Sequence, residues 1–222
     1  MNNPGGEGKF VFPEWTTALR PMLAVVLVVV PTYLVILAAY GGSPKTTNVG
    51  YQPVQPVPYS HALHVGQLGM DCRYCHTTVE DAGWAAIPPT QTCMNCHAKI
   101  RTTSPNLLAV RESYATGVPI PWVRVHDLPD FVYFDHSAHV RRGVGCVECH
   151  GRIDRMEVVR QVHTLAMGWC LDCHRRPDAH LRPPELVTKM DWTPPGDPAA
   201  YGRRLREARG INPSTDCWTC HR

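Results

Sequence analysis

Ten cysteines occur in this sequence, and every one stands in a Cys-x-x-Cys pair followed at once by a histidine. The units are Cys72-Arg73-Tyr74-Cys75-His76, Cys93-Met94-Asn95-Cys96-His97, Cys146-Val147-Glu148-Cys149-His150, Cys170-Leu171-Asp172-Cys173-His174 and Cys217-Trp218-Thr219-Cys220-His221. The intervening residues share no chemistry, so spacing is the common element. Two thiols three positions apart can bond the two vinyl groups of one porphyrin, and the next residue then offers an imidazole to the iron. Zinc and disulfides are the competing uses of paired cysteines, and neither needs the histidine. With twelve histidines in 222 residues, a histidine after a given cysteine is about a one-in-twenty event, and here it happens five times in five. The expected cofactors are five covalently bound haems c, with His76, His97, His150, His174 and His221 as proximal ligands.

Seven further histidines could fill the opposite axial positions: His61, His64, His126, His136, His139, His163 and His180. Two pairs stand out because they belong to an internal repeat. Tyr59-Ser60-His61-Ala62-Leu63-His64 ends eight residues before Cys72, and Phe134-Asp135-His136-Ser137-Ala138-His139 ends seven before Cys146. Histidines at i and i+3 of a helical turn share a face but cannot reach both sides of one iron, so each should serve a different haem. Tyr59 and Phe134 could pack on a porphyrin face or in an ordinary core. For a fifth distal ligand His126 is placed between the repeats, while His163 and Met167 both lie shortly before Cys170; a methionine sulfur there would raise the potential of its haem. His180, beside Arg182 and two prolines, is expected at the surface.

The elements that must position these ligands follow from the rest of the chain. Residues 21–40 carry no charged side chain and as a helix would span about 30 Å, one bilayer core. Pro31 should kink that helix. The apolar run is longer than a usual signal h-region, so it is expected to be kept as a single-pass anchor although Ala38-Ala39 would suit cleavage. Haem attachment belongs to the outer face of the membrane. Lys9 and Arg20 before the run against Lys45 after it agree with a cytoplasmic N-terminal segment, residues 1–20. Trp15 and Tyr40 are candidate interface anchors.

Residues 41–58, rich in Gly, Pro, Thr and Gln, with Pro44, Pro53, Pro56 and Pro58, read as an extended linker. The haem domain would then occupy 59–222, as two dihaem modules (59–100 and 132–176) and a single haem at the C-terminus. The fold class expected is mainly α, short helices around the motifs joined by extensive irregular loops, with 21 prolines and no long strand pattern. Porphyrin faces would supply much of the apolar contact.

The formal charge is +3, but five haems would add up to ten propionate charges. Basic residues are 18 Arg and 4 Lys, and arginine is the better bidentate partner of a carboxylate. Arg141, Arg142, Arg152, Arg155, Arg175 and Arg176 flank motifs and are candidate propionate partners. Dispersed arginines form no nucleic-acid stripe.

The chain resembles the pentahaem cytochrome c subunit of bacterial alternative complex III, a quinol-oxidising respiratory assembly. The resemblance covers most of the chain. It rests on the N-terminal anchor, the five motifs, the stretch Val125-His126-Asp127-Leu128-Pro129-Asp130-Phe131-Val132-Tyr133-Phe134-Asp135-His136, and Met167-Gly168-Trp169-Cys170. It implies His126 as the fifth distal ligand and gives no role to His163 or His180. It further implies an electron-transfer subunit that is not a catalyst by itself, in the cytoplasmic membrane with its haems on the periplasmic side. The implied partners are a polytopic quinone-binding subunit, an iron-sulfur subunit, a further cytochrome, and a periplasmic acceptor or an oxygen reductase. One alternative is a stand-alone quinol dehydrogenase of the NapC/NrfH kind, for which four haems would be usual. Another is a multihaem catalytic reductase, which would need an open iron position that the plentiful histidines argue against.

Overall fold

A computed structural model describes residues 12–43 and 47–221. The chain divides into two compact units, Met1–Thr46 and Thr47–Arg222. Lys9, Pro44 and Lys45, which entered the charge and linker arguments, lie outside the described residues.

Among the described residues of the first unit there is one helix, α1, Trp15–Gly41. Its 27 residues would reach about 40 Å at 1.5 Å per residue. By length and composition it can cross a membrane, and a signal sequence would pass the same test. The helix runs through both Pro21 and Pro31. Next to Pro31, the Thr32 hydroxyl donates to the Val28 carbonyl at 2.7 Å, a local bond that suits a helix without water around it. Trp15 and Tyr40, near its two ends, are both exposed.

The second unit is helical and irregular, as the turn-rich sequence suggests. Its α-helices are α2 (Cys72–Cys75), α3 (Thr90–His97), α4 (Leu108–Thr116), α5 (His136–Arg141), α6 (Cys146–His150), α7 (Met167–Arg175), α8 (Pro198–Ala208) and α9 (Cys217–Cys220). A single wide π-helical turn covers Ala62–Gln67. Among the described residues the only extended pairing is an antiparallel bridge between Val144 and Leu181. Several caps follow standard chemistry: Asp71, Asp135 and Asp197 accept from the backbone N–H of Arg73, Ala138 and Ala200.

Its side-chain core is thin. The buried apolar residues are Val57, Val110, Val140, Met156, Leu181, Val187, Met190 and Ile211. A unit of this length ordinarily buries far more, so its own side chains are a small part of what would hold it together.

The expected linker is different in its second half. From Thr47 onward it is strapped to the domain: Gly50 N–H donates to the Gln161 carbonyl (2.8 Å), Gln161 N–H to Tyr51 (3.1 Å), and the Gln161 amide to Thr47 (2.9 Å). The Gln55 side chain exchanges two bonds with the Val123 backbone, at 2.8 and 3.0 Å. Proline and glutamine stretches read as loose because they form no helix, yet an extended backbone keeps its donors and acceptors free for such bonds.

Candidate haem sites

All five cysteine pairs lie on short helices, α2, α3, α6, α7 and α9, so the two thiols of each pair emerge from the same face one turn apart. None of the ten cysteines is paired in a disulfide. Among the described residues no three His, Cys, Asp or Glu side chains converge on a point where a bare ion would sit.

The imidazoles are held in a consistent way. In seven of them Nδ1 donates to a main-chain carbonyl: His64 to Ser60 (2.8 Å), His76 to Ala86 (2.9 Å), His97 to Ile100 (3.1 Å), His136 to Gly83 (2.8 Å), His139 to Asp135 (2.7 Å), His174 to Ser214 (2.6 Å) and His221 to Phe131 (3.1 Å). A carbonyl can only accept, so the proton is on Nδ1, and in the neutral ring Nε2 keeps its lone pair, which is how metal-binding histidines are usually oriented. Burial also holds several of these rings neutral. It pushes His61 down to about 4 and His150 to about 3, with smaller contributions from neighbouring imidazoles, and it lowers His126 and His139 as well. Two nitrogens, His61 Nδ1 and His126 Nε2, are buried without a hydrogen-bond partner. Such an orphan is costly unless something else satisfies it.

Ring spacings carry further information. Two imidazoles on opposite faces of one metal, each bonded at about 2 Å, have ring centres about 6 Å apart. His64 and His97 are 6.2 Å apart, His139 and His174 are 6.0 Å, and His136 and His150 are 6.5 Å with planes only 11° from parallel. His61 neighbours His76. His126 meets His150 edge-on at 4.4 Å, which is too close for an iron between them. The ring that faces His221 is Phe131, at 5.7 Å. His163 stacks on Trp169 at 5.3 Å, and Met167 is exposed.

The two repeat turns reproduce each other ring for ring. Tyr59 stands edge-on to His61 at 4.8 Å and stacks on His64 at 4.4 Å; Phe134 stands edge-on to His136 at 4.8 Å and stacks on His139 at 4.6 Å. Both aromatic side chains therefore buttress the histidines directly. The thiols and paired imidazoles of this unit fit covalently attached porphyrins with two axial nitrogens, and porphyrin faces would complete its thin core.

Residues 132–222 match the family described as cytochrome c7 and related cytochrome c. This part of the chain is similar to multihaem cytochromes c. It contains α5 with His136 and His139 and the three motifs at Cys146, Cys170 and Cys217. The chain is also 33% identical, over 118 residues, to the multihaem cytochrome c subunit of menaquinone reductase from Nitratidesulfovibrio vulgaris. The match takes in 53% of this chain and 55% of that subunit, so the chain spans about half the length of the curated relative it matches.

Several supporting residues of these sites are not visible in the sequence. His180, expected at the surface, is half-buried, with Nδ1 2.7 Å from Glu148 Oε2. That contact holds the His180 pKa above its usual value. Glu148, inside the third motif, also receives Arg182 at 2.9 Å, and Arg182 is 5% exposed and lies over the Trp192 ring. Of the arginines expected at propionates, Arg141 pairs with Asp81 (2.7 Å), Arg152 with Asp154 (2.6 Å) and Arg176 with Asp172 (3.6 Å). The carbonyl acceptors of Gly83, Ala86 and Ser214 belong to loops whose side chains give no sign of the role.

Proposed function

We propose that this chain is the five-haem electron-transfer subunit of a membrane-bound quinol-oxidising complex of the alternative complex III type. The observation that carries the reading is the gathering of five thiol-pair helices and their paired imidazoles in one unit. Haem supplies one-electron chemistry at such sites. The chain's own residues tether the porphyrins through the ten cysteines and fix the axial imidazoles by their Nδ1 bonds. They also shield His61, His126, His139 and His150 in part from water.

The proposed axial pairs are His64 with His97, His139 with His174, His136 with His150 and His61 with His76. His126 and His136 both adjoin His150, and His136 has the bracketing distance. The remaining candidate opposite His221, at the fifth iron, is His126, whose ring would have to turn from its contact with His150 to reach that iron. Its loop also carries Phe131, whose carbonyl accepts from His221. Changing His126 to Ala should convert one haem from low to high spin in the electronic spectrum; an unchanged low-spin signature at every haem would sink that assignment.

In this reading α1 anchors the domain in the bacterial cytoplasmic membrane with the haems on the periplasmic side. One helix cannot enclose a quinone, so the quinone site would belong to a polytopic partner, with an iron-sulfur subunit and a further cytochrome beside it. The likeness to a menaquinone reductase subunit favours a second reading, in which electrons run from a periplasmic donor toward the quinone pool. Gentle purification from native membranes tests both. Recovery with quinone-binding and iron-sulfur subunits supports a complex, and recovery alone with reduction by added quinol refutes it. Rapid haem reduction by menaquinol marks the first direction; menaquinone reduced by a low-potential periplasmic cytochrome marks the second.

A further inference from the structure

The five motifs are joined to one another by direct contacts that do not follow the order of the sequence. The second motif meets the first: the Asn95 amide, inside Cys93–His97, donates to the Tyr74 hydroxyl, inside Cys72–His76, at 3.2 Å. The turn carrying His61 and His64 joins the same two, since His64 faces His97 and His61 neighbours His76.

The first motif next meets the third. Asp71, just before Cys72, accepts from the Thr188 hydroxyl at 2.8 Å, and the adjoining Val187 carbonyl accepts from Cys146 N–H at 3.0 Å. The Gly83 carbonyl, in the loop after the first motif, holds His136, which faces His150.

The third and fourth motifs share α5, with His136 toward His150 and His139 toward His174. The fourth meets the fifth through Ser214: its carbonyl accepts from His174 at 2.6 Å, and its hydroxyl lies 2.9 Å from that of Thr219, which sits between Cys217 and Cys220. Exposure agrees with an open chain of contacts. Cys96 of the second motif and Cys217 of the fifth are exposed, and the other eight cysteines are partly covered.

We infer that the attachment sites form one unbranched line in the order second, first, third, fourth, fifth, so that electrons enter and leave at the Cys93–His97 and Cys217–His221 segments. The inference rests on the reading that each motif holds a haem. Each transfer moves one electron between neighbouring ferrous and ferric sites, with no bond made or broken. A quinol-side partner at one terminus gives up two electrons, one at a time, with two protons released per quinol, and a one-electron acceptor takes them at the other.

The test uses the full-length holoprotein, whose mass gives the haem number. In five variants both cysteines of one motif become serine, for example Cys93→Ser with Cys96→Ser, and the ferric low-spin resonances of the four remaining haems are recorded by electron paramagnetic resonance. Loss of a site removes dipolar broadening from its neighbours only. Removing the second or fifth site should sharpen one remaining resonance, and removing the first, third or fourth should sharpen two. Two sharpened resonances on loss of the second or fifth site overturn the line. If a variant does not mature, iron–iron distances in an experimental map of the wild-type holoprotein answer the same question. The pairs second–first, first–third, third–fourth and fourth–fifth should be the four shortest, and any other pair among those four overturns the line. A wild-type mass short of five haems would overturn the five-haem reading and the line with it, whereas a full mass with another coupling pattern overturns the line alone.

Discussion

The turns Tyr59–His64 and Phe134–His139 arrive at the same set of ring contacts along different backbones. The second is an ordinary α-helical turn, whereas the first opens into a π-helical turn over Ala62–Gln67, with Leu68 N–H reaching back five residues to Leu63. The cause is one residue. His64 is eight positions before Cys72 and His139 is seven before Cys146. Each turn is followed by a glycine with positive φ three positions before its motif, Gly69 (φ 69°) and Gly143 (φ 88°). The extra residue therefore lies between histidine and glycine, where a π turn absorbs it without moving either end. Caps are matched as well: Ser60 Oγ accepts from Leu63 N–H, and Asp135 Oδ1 from Ala138 N–H. Ring placement is what the two turns preserve, and backbone hydrogen bonding is what they let vary.

The strongest way to break that equivalence is to remove the second histidine of each turn. His64→Ala and His139→Ala should each convert one haem equivalent from low to high spin, at the iron bound by His97 and by His174 respectively, and should leave it open to added imidazole. Near-infrared magnetic circular dichroism counts the low-spin bis-histidine centres directly. A change in one variant without the other would mean that the turns share a shape but not a role.

A second contrast sharpens the comparison at the backbone. Gly66 stands five positions after His61, where the other turn has Arg141 five after His136. A Cβ at Gly66 would overlap the carbonyl oxygen of Asp154, because the wide turn presses against that segment. Arg141 is exposed and pairs with Asp81 at the surface. Gly66→Ala should destabilise the holoprotein by about 1–3 kcal/mol, the usual cost of overpacking against a backbone atom that cannot retreat. Arg141→Ala should cost no more than about 1 kcal/mol. Denaturant titration followed by tryptophan fluorescence measures both, and equal losses would mean that the π turn is not wedged as described.

What could be read from the sequence alone divides along the same boundary. Thiol pairs, proximal histidines and the two aromatic-His-x-x-His turns are visible because their chemistry requires fixed residue types at fixed spacing. Even the one-residue difference between the turns was countable, although nothing in it says that a π turn would take it up. The acceptors of the imidazole Nδ1 protons were invisible, since Gly83, Ala86 and Ser214 contribute carbonyls and a carbonyl is present in every residue. His180 was misjudged for a related reason: its partner Glu148 is 32 residues away and lies inside a motif whose intervening positions look arbitrary. The strap from Thr47 was missed because glutamine and proline carry no periodicity, only donors and acceptors waiting for a surface.

The smallest effect tests the residue immediately before the first and third motifs, Asp71 and Gly145. Asp71 caps α2 and takes two further bonds from the Arg73 guanidinium at 2.9 and 3.1 Å, with Thr188 at 2.8 Å. At Gly145 a Cβ would overlap the Arg182 guanidinium, so the third motif exchanges a carboxylate cap for room beside a buried arginine. The Arg73 hydrogen bonds, opposed by partial burial and aided by Thr188, bring the Asp71 carboxyl down to about 2 from 3.8. A depressed carboxyl stabilises the fold fully above its unfolded value and loses that contribution as pH falls through its folded one. Asp71 is partly exposed, so the contribution is that of a surface pair, about 0.2–1 kcal/mol. Wild-type and Asp71→Asn proteins should therefore differ in stability by that amount above about pH 4, and the gap should close as pH falls toward 2. Unfolding midpoints of the two proteins between pH 2 and 6 decide it. A gap that persists at pH 2 would place the aspartate's effect in the geometry of the cap, which asparagine reproduces imperfectly, and the contrast with Gly145 would then be one of shape rather than charge.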